Sequence, residues 1–120
     1  MIETQGLTHI HLRVADLERS LRFYQEVFGM EEMFREDDLV LLRTPGSADT
    51  ITLNPYDDEG LAGQSGGIEH FGFRLAEGVS IDDAVTAVEA AGGKLLRRGE
   101  HAPGVPFAYL ADPDGYVIEF

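Results

Sequence analysis

Three residues in this 120-residue chain are of the right type to hold one divalent metal: His9, His70 and Glu119. Two of them sit in an internal repeat. The segment His9-Ile10-His11-Leu12-Arg13 recurs as His70-Phe71-Gly72-Phe73-Arg74, one copy in each half of the chain. His9 and His11 share a face, because strand residues two apart point the same way. A flat strand does not readily offer both to one metal. The repeat separates them: His70 matches His9, whereas Gly72 matches His11. His9 is therefore read as the ligand and His11 as a supporting or acid–base residue. Two imidazoles and a carboxylate leave open coordination positions. Such a set suits Fe(II) that binds substrate and oxygen together, or Mn²⁺ or Zn²⁺ acting as a Lewis acid. Singly, each residue has an ordinary explanation as a structural histidine or a solvated carboxylate. Three of them on the inner faces of a duplicated sheet point to a site.

The elements that must position these residues follow from periodicity. Residues 7–14 alternate, with Thr8, Ile10, Leu12 and Val14 on one face and Leu7, His9, His11 and Arg13 on the other. Asp16 is placed to cap a helix whose stripe is Leu17, Leu21, Tyr24 and Phe28, and Gly29 ends it. Short strands fit near 30–36, 38–44 and 50–55. The second half repeats the order: an alternating segment around Phe71, Phe73 and Leu75, then a helix capped by Ser80 and Asp83 with the stripe Ile81, Ala84, Val85, Val88 and Ala91. Strands near 94–99, 105–111 and 116–120 complete it. The expectation is an α+β fold of two βαβββ modules in a single domain over 1–120, with repeat one at about 5–56 and repeat two at about 66–120. The stretch 56–67 joins them. Each half alone is marginal in size, so one combined core is expected.

Asp112-Pro113-Asp114-Gly115 reads as a turn. A three-residue hairpin loop with Gly115 in the left-handed position pairs Asp112 with Tyr116, and by counting outward pairs Tyr109 with Glu119. A two-residue turn would place Tyr109 on the opposite face.

Composition excludes several classes. A net charge of −13 repels nucleic acid and anionic membranes. The chain has no cysteine, which rules out disulfides, Cys-ligated zinc and a thiol nucleophile and suits a reducing cytosol. The N-terminus lacks the pattern of a signal peptide, so a cytoplasmic protein is expected. No serine-hydrolase elbow, P-loop or dinucleotide glycine fingerprint is present.

The stretches His9-Ile-His-Leu-Arg-Val-Ala-Asp-Leu-Glu-Arg-Ser-Leu-Arg-Phe-Tyr-Gln-Glu-Val-Phe-Gly29, Glu69-His70-Phe-Gly-Phe73 and Asp112-Pro-Asp-Gly-Tyr-Val-Ile-Glu119-Phe together resemble the vicinal oxygen chelate superfamily, over nearly the whole chain. That group includes glyoxalase I, extradiol dioxygenases, fosfomycin-resistance transferases and bleomycin-binding proteins. The resemblance implies a cup-shaped sheet around a metal held by His9, His70 and Glu119, and a small-molecule substrate whose neighbouring oxygens chelate it. It also implies a homodimer, with ligands drawn from different subunits. Arg13 matches a substrate-binding arginine of glyoxalase I. Tyr109 resembles the tyrosine acid–base partner of the dioxygenases and a tyrosine near the metal in the transferases. Residues 50–55, Thr-Ile-Thr-Leu-Asn-Pro, lack the fourth Glu or Gln ligand of glyoxalase I. Arg97, Arg98 and His101 are candidates for anion binding.

The leading expectation is a small metal-dependent enzyme with dioxygenase-like chemistry, Fe(II) favoured over Mn, Ni or Zn, with His11 and Tyr109 moving protons. The alternatives are a glyoxalase-type lyase or isomerase, a fosfomycin-type thiol transferase, and a metal-free binding protein of the bleomycin type.

Overall fold

The computed structural model describes the whole chain except residues 2, 4, 6 and 56–59. The first part of the expected joining loop and the margins of repeat one therefore lie outside the described residues. What is described is βαβββ twice: β1 (Ile10–Arg13), α1 (Leu17–Phe28), β2 (Glu31–Glu36), β3 (Leu39–Arg43) and β4 (Ile51–Asn54), then β5 (Phe71–Gly72), α2 (Ile81–Ala90), β6 (Lys94–Ala102), β7 (Val105–Ala111) and β8 (Val117–Glu119). The two sheets have equivalent orders, β1-β4-β3-β2 and β5-β8-β7-β6. In each, the first strand runs parallel to the last, and the remaining pairs are antiparallel.

Local chemistry sets the element ends. The Asp16 carboxylate accepts from Arg19 N–H at 3.0 Å and starts α1. Gly29 closes it at φ 63°, donating its N–H to Gln25 O. Ser80 caps α2 by accepting from Asp83 N–H at 3.1 Å. Its hydroxyl donates to the Asp83 carboxylate at 2.7 Å. The buried stripe of α1 is wider than expected: Phe23 joins Leu21 and Tyr24 in the interior, while Leu17 and Phe28 are half-buried. β1 starts later than the alternation suggests. The ladder with β4 opens where Ile10 N–H donates to Thr50 O at 3.1 Å. Residues 7–9, His9 included, therefore precede the strand.

One hydrophobic cluster draws on both modules, with Leu12, Val14, Tyr24, Leu42 and Leu53 from the first and Val85, Val88, Leu110 and Ile118 from the second. Phe28 seals the seam, its ring stacked on Phe73 at 4.0 Å. Burial of these side chains stabilises both halves at once.

A polar lock crosses the same seam. Tyr24 Oη donates to the buried Asp112 carboxylate at 2.8 Å. The other Asp112 oxygen accepts the backbone N–H groups of Asp114, Gly115 and Tyr116, each at 2.9 Å. Asp114 accepts from Ala15 N–H at 3.1 Å, from Arg19 Nη2 at 2.7 Å and from Ser20 Oγ at 3.1 Å. The hairpin loop that reads in the sequence only as a turn thus also anchors α1 and the end of β1. Burial pushes both the Tyr24 phenol and the Asp112 carboxyl above their ordinary ranges; the charge of Asp112 and its hydrogen bond add to the first, whereas the hydrogen bonds from Tyr24 and the loop N–H groups oppose the second and the charge of Asp114 adds to it. Tyr24→Phe leaves a buried Asp112 oxygen without its donor and should cost roughly 1–3 kcal/mol in denaturant unfolding. An unchanged midpoint would show that this bond does not hold the modules together.

Candidate metal centre

The register of the second sheet assembles the site. Tyr109 pairs with Glu119, and Asp112 N–H donates to Tyr116 O at 3.0 Å, as the three-residue loop requires. Gly115 takes φ 104°, a backbone region in which a side chain is strained. Glu119 pairs in turn with Gly72, and Tyr109 with Arg97. One row across the sheet therefore reads Gly72, Glu119, Tyr109, Arg97. His70 lies two residues before Gly72, on the same face.

Within this row His70 Nε2 lies 3.0 Å from Glu119 Oε2. On the other side, His101 Nε2 lies 2.7 Å from Glu119 Oε1. The Tyr109 ring meets the His70 ring edge-on at 5.0 Å. Arg97 lies over Phe107 at 5.2 Å and over Tyr109 at 5.5 Å from the ring centres. The hydrogen bond from His101 holds the Glu119 carboxyl below its ordinary range against desolvation, with the nearby imidazoles of His70 and His101 helping. Desolvation, then the charges of Glu119 and Glu69, push the Tyr109 phenol up. At neutral pH the pair is thus an ionised carboxylate beside a protonated phenol.

His70 and Glu119 fit a metal. The Nδ1 atom of His70 is buried without a hydrogen bond among the described residues. Glu69 Oε1 stands 3.5 Å from it, too far for a good hydrogen bond but placed as the carboxylate that orients a metal-bound imidazole. A bound metal would take the Nε2 lone pair while Nδ1–H turns toward Glu69. His9 does not join them. It is exposed, one residue before β1, and among the described residues no group of three such side chains is arranged to hold a metal ion.

His11 and Arg13 lie elsewhere on the same side. With Ile10 and Leu12 of β1, Gln64 of the joining segment and His70, they line a cleft of about 410 Å³. Tyr116 Oη forms part of the frame, donating to Arg13 O at 2.8 Å. Thr52 pairs with His11 as Glu119 pairs with Gly72, so Thr52 stands where a fourth ligand would stand in the first module. Of the anion-binding candidates, Arg98 is engaged with Asp82 at 2.7 Å. The contact that sequence reasoning missed is His101 with Glu119. Only the register of the β6–β7 hairpin, with its bulge at His101, shows which residue it meets.

Residues 6–120 match the model of the glyoxalase/bleomycin resistance protein/dioxygenase superfamily, and the chain belongs to that superfamily. A lactoylglutathione lyase of Haemophilus influenzae is 33% identical over 95% of this chain and 90% of its own length. A lactoylglutathione lyase of Neisseria meningitidis serogroup A is 35% identical over 95% of this chain and 88% of its own. Among solved structures, the fosfomycin resistance protein FosX of Listeria monocytogenes, in complex with Mn(II) and 1S,2S-dihydroxypropylphosphonic acid, superposes with a TM-score of 0.77 at 23% identity, over 98% of this chain and 89% of its own. That last likeness concerns the fold. The paired βαβββ architecture is as expected. These relatives are lactoylglutathione lyases, and they favour the glyoxalase-type alternative over the dioxygenase-like expectation. No helix among the described residues is long and apolar enough to cross a membrane.

Metal-stripped protein titrated with Mn²⁺, Ni²⁺ or Zn²⁺ should bind it, and His70→Ala and Glu119→Ala should each weaken binding by more than about 100-fold, beyond the loss that supporting residues give. Calorimetric titration checks this; unchanged affinity in either variant removes that residue from the ligand set.

Proposed function

We propose that this chain is a divalent-metal-dependent lyase or isomerase of glyoxalase type, acting as a homodimer on a small molecule with neighbouring oxygens, a thiol hemithioacetal being the leading class. The observation that carries this reading is the convergence of His70 and Glu119 beside a protonated Tyr109, in a chain a third identical to lactoylglutathione lyases. The metal supplies Lewis acidity toward the substrate oxygens. The preference for Fe(II) rested on oxygen chemistry and goes with it, leaving Mn, Ni or Zn.

His9 is the proposed third ligand, contributed by the second copy. Its exposure supports this, and so do its surroundings. Leu7 and Ile68, each two residues before a ligand histidine, are 93% and 67% exposed. Apolar side chains this bare beside a site are what an association surface covers. His11 and Arg13 then line the substrate cleft, His11 as the group that moves a proton and Arg13 as an anchor for an anionic part of the substrate. Tyr109 donates a hydrogen bond to substrate oxygen.

Thr52 limits the protein donors to three per site, and this favours a second reading, a thiol transferase of fosfomycin type. Hemithioacetals of glutathione and of other thiols, supplied anaerobically to metal-loaded protein, separate the readings. Turnover without oxygen is expected, with Tyr109→Phe lowering kcat by about 10²-fold while metal binding persists. Turnover only in the presence of oxygen would restore the dioxygenase. Failure on every hemithioacetal, with thiol addition to an epoxide instead, would establish the transferase.

A further inference from the structure

We propose that His101 is a positioning residue for the metal carboxylate: it holds Oε1 of Glu119 so that only Oε2, the oxygen beside His70, is offered to the metal. The inference rests on the metal-site reading of His70 and Glu119 and adds a residue to it. Three observations place His101 by construction. It is the extra residue of a β-bulge, because Glu100 pairs with Pro106 and Ala102 with Val105, leaving His101 without a partner of its own. Bulges redirect a side chain, and they recur beside sites.

The redirected ring is then fixed by stacking. It lies on Phe107 at 4.3 Å between centres with 25° between planes. Phe107 itself is buried, and its position depends on Gly99: a Cβ there would come within 2.7 Å of the Phe107 ring. A glycine that admits a phenyl ring, a phenyl ring that carries an imidazole, and an imidazole 2.7 Å from a carboxylate oxygen form one chain of support.

A carboxylate can bind a metal through one oxygen or through both, and it rotates between these when nothing holds it. An N–H donor on Oε1 removes that freedom and leaves one oxygen for the metal, which is what supporting residues do at metal centres. His101 is half exposed, at 53% of its side chain, so its replacement leaves the core intact.

The test uses two replacements that divide the ring's roles. His101→Phe keeps the stack and removes the donor; His101→Gln keeps a donor and removes the stack. Mn²⁺ affinity of the metal-stripped proteins is measured calorimetrically, with Co²⁺ visible spectra at saturation and His70→Ala alongside. We expect His101→Phe to bind Mn²⁺ about 10-fold more weakly with an altered Co²⁺ spectrum, and His101→Gln to recover most of that loss. Wild-type affinity and spectrum in His101→Phe would overturn the proposal while His70→Ala still reports on the metal site. A loss in His101→Phe as deep as in His70→Ala, unrelieved by Gln, would also overturn it, by making His101 a ligand. A wild-type protein that takes up no metal would overturn both this role and the site it serves.

Discussion

The three-residue loop between β7 and β8 is the constraint on which the rest depends. Gly115 admits the left-handed backbone, Asp112 gathers three successive N–H groups, and the register that results puts Tyr109 beside Glu119. A shift by one residue would turn every side chain of β8 to the other face and take Glu119 away from His70. The two aspartates of the loop also reach out of their own module, Asp112 to Tyr24 and Asp114 to Arg19, Ser20 and the backbone of Ala15. One short segment therefore sets both the geometry within the second sheet and the docking of the first module on it.

Each module brings its own groups to this arrangement. The second module presents an ionised Glu119, an imidazole whose Nδ1 stands near Glu69, and a protonated Tyr109. The first module presents His9 at the open end of β1 and the His11–Arg13 wall of the cleft. Among the described residues of one chain no group of three is arranged to hold a metal ion, and the proposed homodimer would draw the third donor, His9, from a second copy. The exposed Leu7 and Ile68 beside the two histidines fit such an association. Each module places a histidine, His9 or His70, one residue before its first strand.

The fold was largely legible in the sequence because its signals are local. Alternation marked β1, Asp16 and Gly29 bracketed α1, and the Asp-Pro-Asp-Gly turn fixed the register of the last hairpin. The errors are equally physical. Among the described residues the ladder of β1 opens at Ile10, and Phe23 is buried against Gly93 of the second module. The pairing of His70 with Glu119 follows from two registers that could be counted. His101 could not be placed by counting, since its approach to Glu119 depends on a bulge and on a stack with Phe107. Activity was the least legible, because a triad of donors is common to lyases, transferases and dioxygenases; relatives a third identical favour the first.

The central claim, a metal held by His70 and Glu119 of one chain and His9 of another, is tested most directly by subunit complementation. His9→Ala and His70→Ala proteins are each inactive and metal-poor alone in this account. Unfolded together and refolded as a mixture, they should regain metal binding and turnover, because a two-fold dimer of the two variants contains one intact site and one doubly damaged site. A mixture that stays as inactive as its components, although mixed dimers have formed, would contradict it: every chain would then need its own His9 and its own His70.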